Sequence, residues 1–344
     1  MKHNVKLTLW GILIHCISYS YAADFFLTGN LKDLVSINKR IPMNLGKITI
    51  LTEPIHENAS QDIQGHFAVT SSVLRGFRKL GLPMNYNPRT IDEVGEHVFV
   101  LVNIDALYQA IELKRQGKIK TLIVGPNILG NPNQHDHILG SPEIDWYIAP
   151  CNWARDCNCE EEPLIKGKTA IWYAGVDTEY WKPLESKKET KTMLVYWKTE
   201  PESFCMEIEN ILHKHGWQTK RLHYGSYYQE EYKRVLDEVD AAIFISVSES
   251  QGIALAESWA MNVPTFVWNP ETAFIYNRWI PVSSAPYLTR STGHFWKTLK
   301  DLENLVSQFE ELKKEYIPCS WVLEYMTDEA STHLLLDLIK CALF

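Results

Sequence analysis

From residue 47 onward the chain alternates short apolar runs with amphipathic stretches, and this alternation limits its fold more than any other feature. Lys47 to Thr52 carries Ile48, Ile50 and Leu51 and reads as a buried strand. Phe67 to Leu80 places Val69, Val73, Phe77 and Leu80 on one helical stripe, and Gly81 follows as a stop signal. His97 to Asn103 (HVFVLVN) is the next strand, Leu107 to Arg115 the next helix, and Lys120 to Val124, Asp145 to Ala149 and Ala170 to Tyr173 are further strands. A second set begins at Thr192 to Tyr196. It continues through a helix at Phe204 to His215, a strand at Gln218 to His223, a helix at Gln229 to Glu238, a strand at Ala241 to Ser246, a helix at Ile253 to Met261 and a strand at Pro264 to Val267. Strands that alternate with helices form mostly parallel sheets covered on both faces. The expected class is therefore α/β, built as two doubly wound, Rossmann-like domains.

With 344 residues the chain is long enough for two cores of roughly 150 residues each. The charged run Lys182 to Lys191, which contains Pro183, is the best linker. The expected division is 23–182 for an N-terminal domain and 183–330 for a C-terminal one, with an apolar helix over 331–344 that returns to the first domain. The first 22 residues read as a secretory signal peptide. Lys2, His3 and Lys6 precede an apolar stretch from Leu7 to Ile17, and Ser20 and Ala22 supply small residues ahead of a cut before Ala23. The expected location is export or the secretory pathway; peripheral membrane association follows if the segment is not cleaved. Cys16 leaves with that segment. Six cysteines remain, three of them (Cys151, Cys157 and Cys159) clustered, as a local disulfide or as inert thiols. The net charge of −8 lacks the basic field that a nucleic-acid partner needs.

No G-x-G-x-x-G, Walker A or G-x-S-x-G sequence is present, so dinucleotide, P-loop and α/β-hydrolase readings lose their main support. The chemistry concentrates in Ser246 to Pro264. A strand ends at Ser246, a polar turn holds Ser248, Glu249, Ser250, Gln251 and Gly252, and a helix rich in small residues begins at Ile253. Ligands of open α/β sheets bind beyond the carboxyl ends of strands. A helix start offers N–H groups and partial positive charge to phosphate, and a glycine lets backbone approach it closely. Glu257, one turn inside the helix, can accept from hydroxyls beside that phosphate, and Glu249 can accept from others. One element thus suits a sugar nucleotide.

These residues resemble the retaining "group 1" glycosyltransferases of GT-B fold, a glycogen-synthase-like family with an E-x7-E motif followed by A-M-x-x-P. Gly175-Val-Asp177 through Pro183 is similar to the family's G-V-D-x-x-x-F-x-P, and Ile148 to Trp153 resembles the strand and turn before it. The likeness covers residues 145 to 270. It implies two domains facing a cleft, with the acceptor in the first and the donor in the second, and sugar transfer with retention from a nucleotide-diphosphate donor to a glycan or other hydroxyl acceptor. No metal and no separate cofactor is required. It further implies that Glu257 binds the ribose, Glu249 contacts the donor sugar, the backbone of Ser250, Gln251, Gly252 and Ile253 holds the diphosphate, and Lys198 stabilises its charge. Gly65 and His66, after Gln64, stand where the family has an acceptor loop. Three positions depart from the pattern: Ser203 replaces a second basic residue, one glycine stands where two are common, and Asn103 stands where a histidine is frequent.

Other side chains carry weaker readings. His135-Asp136-His137 alternates potential metal ligands in a loop, and Asn58-Ala-Ser60 fits an N-glycosylation acceptor. Most of the twelve tryptophans read as packing. The alternative function is a non-catalytic exported sugar- or glycan-binding protein on the same scaffold, which the export signal motivates.

Overall fold

The structure, a computed structural model, describes residues 46–53, 65–186 and 188–343. Residues 1–22, read above as a signal peptide, with Cys16, and also Asn58 to Ser60, Gln64 and the His66 side chain lie outside the described residues. The described chain divides into two compact units: residues 46–53, 77–173 and 329–343 form the first, and 65–76 with 174–328 the second.

The first unit is built on a six-stranded sheet in the order β2-β1-β3-β4-β5-β6. Its strands are β1 (Ile48–Leu51), β2 (Met84–Tyr86), β3 (His97–Val100), β4 (Thr121–Val124), β5 (Trp146–Ala149) and β6 (Thr169–Ile171), and every pairing is parallel. Helix α1 (Gly65–Lys79) leads from β1 to β2, α2 (Ile104–Arg115) from β3 to β4, and α3 (Asn152–Glu161) from β5 to β6. Strands with both faces covered read as continuous apolar runs, which is why HVFV and TLIV are buried at every position. Val98, Val100, Leu107, Ile111, Leu122, Val124 and Leu139 form one core between sheet and helices. The short strand Met84–Tyr86 escapes the sequence reading because it lacks an apolar run and pairs only as an edge.

The second unit carries a five-stranded parallel sheet in the order β13-β10-β9-β7-β8. Its strands are β7 (Thr192–Trp197), β8 (Gln218–His223), β9 (Ala241–Ile245), β10 (Thr265–Trp268) and β13 (Gly293–Trp296). Helices α4 (Glu202–Lys214), α5 (Gln229–Glu238), α6 (Ile253–Ala260), α7 (Leu299–Ser307) and α8 (Pro318–Tyr325) connect and follow them, and an antiparallel pair, β11 (Thr272–Ile275) and β12 (Arg278–Pro281), stands apart. Alternation along β7 and β9 sorts the core by face. Met193, Val195, Ala241, Ile243 and Ile245 pack with Cys205, Ile208 and Leu212. Tyr196 and Phe244, opposite each other in register, meet Tyr227 and Tyr232 in a cluster of rings with centroids 4.7–5.9 Å apart. Burying each such ring is worth roughly 1.5–3 kcal/mol, enough to fix the approach of α5.

The final helix α9 (Asp328–Ala342) has Leu334, Leu335, Leu338 and Ile339 buried. Trp172 Nε1 donates to Ser331 O at 2.9 Å, and Ser331 Oγ donates to Tyr173 O at 2.6 Å. The six cysteines among the described residues are free thiols. Burial pushes Cys151 up to about 12, so it is an inert core group.

Candidate functional site

In an open parallel sheet a crevice forms where neighbouring strands send their connections to opposite sides. The second unit has this switch between β7 and β9. β7 leads outward through α4 to β8, while β9 leads through α6 to β10 on the other side. The sequence places Lys198 just past the end of β7, Tyr224 just past β8 and Glu249 in the turn after β9, so all three project at the same sheet end. Backbone bonds hold this end together: Lys198 N donates to Ile245 O at 3.1 Å and Tyr224 N to Trp197 O at 2.9 Å. Lys198 Nζ lies 3.1 and 3.2 Å from the two carboxylate oxygens of Glu249 and 4.5 Å from the centroid of the Tyr224 ring. The ammonium and the carboxylate are 29% and 19% exposed, so both face a partly open space and are not sealed in the core.

The turn that follows is shaped by Gly252, which adopts φ 69° and ψ 50° ahead of α6. A side chain there would be strained by the left-handed backbone and would bring its Cβ to 3.0 Å from Leu255 Cδ1. No side chain caps α6 among the described residues. Ser250 is half-buried. Gln251 is only 7% exposed, yet neither atom of its side-chain amide has a hydrogen-bond partner among the described residues.

Helix α6 is pinned from behind. Ser258 and Trp259 are buried, Tyr232 OH contacts Ser258 Oγ at 2.7 Å, and Trp259 Nε1 donates to Thr265 Oγ1 at 3.0 Å. Its open side carries Ile253, Ala254 and Glu257, which are half-buried. The Glu257 carboxyl is desolvated, which pushes it up to about 8 against the opposing pull of the Arg75 guanidinium and a hydrogen bond with Gln229. Burial likewise raises Tyr227 and Tyr232, with Glu257 adding to both. Tyr180 is raised by burial and then by Glu230 and Glu257. Glu257 therefore sits among Gln229 and phenolic groups and shares the field of one cation.

That cation reaches the site from α1. Arg75 Nε and Nη2 donate to the two oxygens of fully buried Asp328 at 2.8 and 3.1 Å, and Nε lies 3.5 Å from Asp177 Oδ2. Ser72 Oγ accepts from Gly175 N at 2.7 Å on the same helix face. Gly65 is the first residue of α1, and a Cβ placed on it would stand 3.9 Å from Ile253 Cδ1. The structure thus brings Gly65 and the turn at 250–253 together, pairs Lys198 with Glu249, and sets Glu257 in a separate desolvated position on α6. Ser203 is exposed in the first turn of α4. Asn103, at the start of α2, accepts from Ala106 N at 2.9 Å and so serves as a helix cap. His135 contacts Tyr108 OH at 3.3 Å and His137 pairs with buried Glu162 at 2.5 Å. No group of three or more His, Cys, Asp or Glu among the described residues is arranged to hold a metal ion.

Sequence reasoning missed Tyr224, Gln229, Gln251's side chain and Arg75. Tyr224 was legible as the residue beyond a strand end. Arg75 was not, because its partner Asp328 is 253 residues away.

No family model matches the chain and no curated protein matches it by sequence. Solved structures do match its fold. The catalytic domain of starch synthase IV from Arabidopsis thaliana bound to ADP and acarbose aligns over 86% of this chain and 98% of that one, with 9% identity and a TM-score of 0.56. Sucrose-phosphate synthase from Thermosynechococcus elongatus aligns over 86% and 98%, with 10% identity and a TM-score of 0.55. The lipopolysaccharide outer core galactosyltransferase WaaB in its apo form aligns over 86% and 99%, with 12% identity and a TM-score of 0.53. At such identities the likeness concerns the fold alone: the chain has the α/β GT-B fold of these glycosyltransferases.

Proposed function

We infer that the chain is a glycosyltransferase that moves a sugar from a nucleotide-diphosphate donor to a hydroxyl of a glycan or related acceptor, with retention and without a metal ion. The observation that carries this reading is the Lys198–Glu249 pair at the switch point of the second sheet, beside the Gly252-led start of α6. The fold shared with known glycosyltransferases supports it, and one of them was solved with ADP bound.

In this reading the backbone of Ser250, Gln251, Gly252 and Ile253 holds the diphosphate, and Lys198 swings from Glu249 toward it. Charge develops on the diphosphate as the bond from the anomeric carbon to the leaving oxygen breaks. An ammonium in a partly dehydrated place stabilises that charge more than water would. Glu249, released from Lys198, accepts from hydroxyls of the donor sugar, and Glu257 accepts from the ribose. The acceptor oxygen bonds to the anomeric carbon on the face the diphosphate leaves, and its proton passes to the departing phosphate oxygen. Gly65, held near Ile253, belongs with His66 to the acceptor side of the reading.

A thermal-shift panel of nucleotide sugars on the mature chain, run beside Glu257→Ala, tests the reading. One donor should raise Tm in the wild type and fail to do so in the variant. If no donor raises Tm, the enzyme reading falls; if the variant responds undiminished, the site assignment falls. Ser203, exposed where a second cation is absent, favours the other reading, a non-catalytic sugar-binding protein. Donor binding without turnover on any acceptor would select it.

A further inference from the structure

The antiparallel pair β11–β12 leaves the second sheet where β10 ends and returns to it at Ser283. Its two faces differ sharply. Ala273 and Ile280, paired in register, are 5% and 3% exposed and fix the ribbon to the body. Phe274 and Trp279, the next pair in register, point the other way and are 59% and 71% exposed. Their rings lie edge to face with centroids 5.8 Å apart. Trp279 is the most exposed large apolar side chain among the described residues. An isolated exposed aromatic needs no explanation, but two held in contact on a fixed ribbon form a surface.

The ribbon's base is bonded to the turn that carries Glu249. Glu249 N donates to Ser283 O at 3.0 Å. Ser284 Oγ donates to Ser246 O at 2.7 Å and Val247 O at 3.1 Å, and Ser284 N donates to Asn269 Oδ1 at 3.1 Å. Val282 N donates to Glu271 O at 2.9 Å and closes the ribbon. Trp279 is four residues from Ser283, so its backbone lies within about 13 Å of the Glu249 amide's partner. That is the reach of a short oligosaccharide.

We propose that Phe274 and Trp279 form a binding platform for a glycan, whose sugar rings stack on it. A glycan as the bound partner accords with the glycosyltransferase reading, while the platform itself rests on the ribbon. A pyranose ring offers an apolar face of C–H groups and a rim of hydroxyls, and it matches a rigid aromatic face with water at its edge. Two other occupants fit less well. Two aromatic side chains bury about 300–500 Å² together, short of the roughly 800 Å² per partner of a stable dimer. Lipid surfaces favour basic segments, whereas residues 270–282 balance Arg278 with Glu271, Lys297 beside the ribbon is paired with Glu271, and the chain carries −8.

The test uses the full mature chain and the Phe274→Ala/Trp279→Ala double variant, with Trp279→Tyr as the conservative control. Binding to cellotetraose, maltotetraose and chitotetraose is measured by calorimetry, and the nucleotide-sugar thermal shift is measured in parallel. At least one tetrasaccharide should bind the wild type, weaken at least tenfold in the double variant, and recover in Trp279→Tyr, while the nucleotide-sugar shift persists. Binding of no tetrasaccharide, or binding undiminished in the double variant, overturns the platform. So does a self-association or a vesicle affinity that the double variant abolishes while sugar binding stays. Tetrasaccharide binding lost in the double variant, with no donor shift in any form, keeps the platform and removes the transferase reading.

Discussion

Both sheets of this protein have a switch point at the carboxyl ends of their strands, and they use it differently. In the first unit the switch lies between β1 and β3, and two described polar groups there serve the fold. Asn103 caps α2, and Asn87 Oδ1 accepts from Thr52 N at 2.9 Å. In the second unit the switch lies between β7 and β9. There Lys198 and Glu249 pair at a half-open surface, the buried Gln251 amide has no partner among the described residues, and desolvation raises the Glu257 carboxyl. Groups that finish the fold find short local partners, whereas groups that await a ligand show strained backbone, missing partners or displaced proton affinity. The contrast supports the proposed donor site in the second unit.

The largest test of that contrast is Lys198→Met. Removing the Lys198 ammonium should lower kcat by about 10²–10³ in initial-rate assays with an active donor, with a smaller change in donor affinity. An unaltered kcat would leave the second switch point as structural as the first. Next is Asp328→Ala, which strands Arg75 beside Asp177 and should cost about 3 kcal/mol in urea unfolding. A loss below 1 kcal/mol would mean that α1 is held by its apolar stripe alone.

Glu257→Gln sharpens the comparison through pH. The folded carboxyl stands near 8, above its ordinary 4.5, so the native state holds a proton that the unfolded chain releases. Between those values wild-type stability therefore falls as pH rises, and the loss is complete above about 8. The amide variant has no such dependence. Its stability advantage over wild type in urea unfolding should be small at pH 4.5, grow through pH 8 to about 1–2 kcal/mol, and then level off. A constant difference across pH would show that Glu257 is solvated like any surface acid. The smallest effect is expected in the first unit. Asn103→Ala should cost about 1 kcal/mol of stability as a lost cap and leave donor binding unchanged. A fall in donor binding there would break the division of labour between the two switch points.

Most regular elements were legible in the sequence, because buried parallel strands such as AAIFI and TLIV are apolar at every position and helices such as Gln229–Glu238 show one apolar stripe. The strands Met84–Tyr86 and Gly293–Trp296 and the β11–β12 ribbon were not, since edge and ribbon strands mix polar and apolar residues and take their register from partners far along the chain. Within the candidate site, Glu249, Gly252 and Glu257 followed from a strand end and a helix start, which are local, whereas Lys198 followed from the family resemblance. The sequence by itself determined the α/β class, the two sets of parallel strands and the turn where polar residues gather. Tertiary structure alone decided that Lys198 meets Glu249 across 51 residues, that Arg75 leaves its own stripe for Asp328 and the field of Glu257, and that Phe274 and Trp279 face water. The physical reason is range: periodicity and turn chemistry act over a few residues, whereas charge pairing, desolvation and exposure depend on which distant segments the sheet brings together.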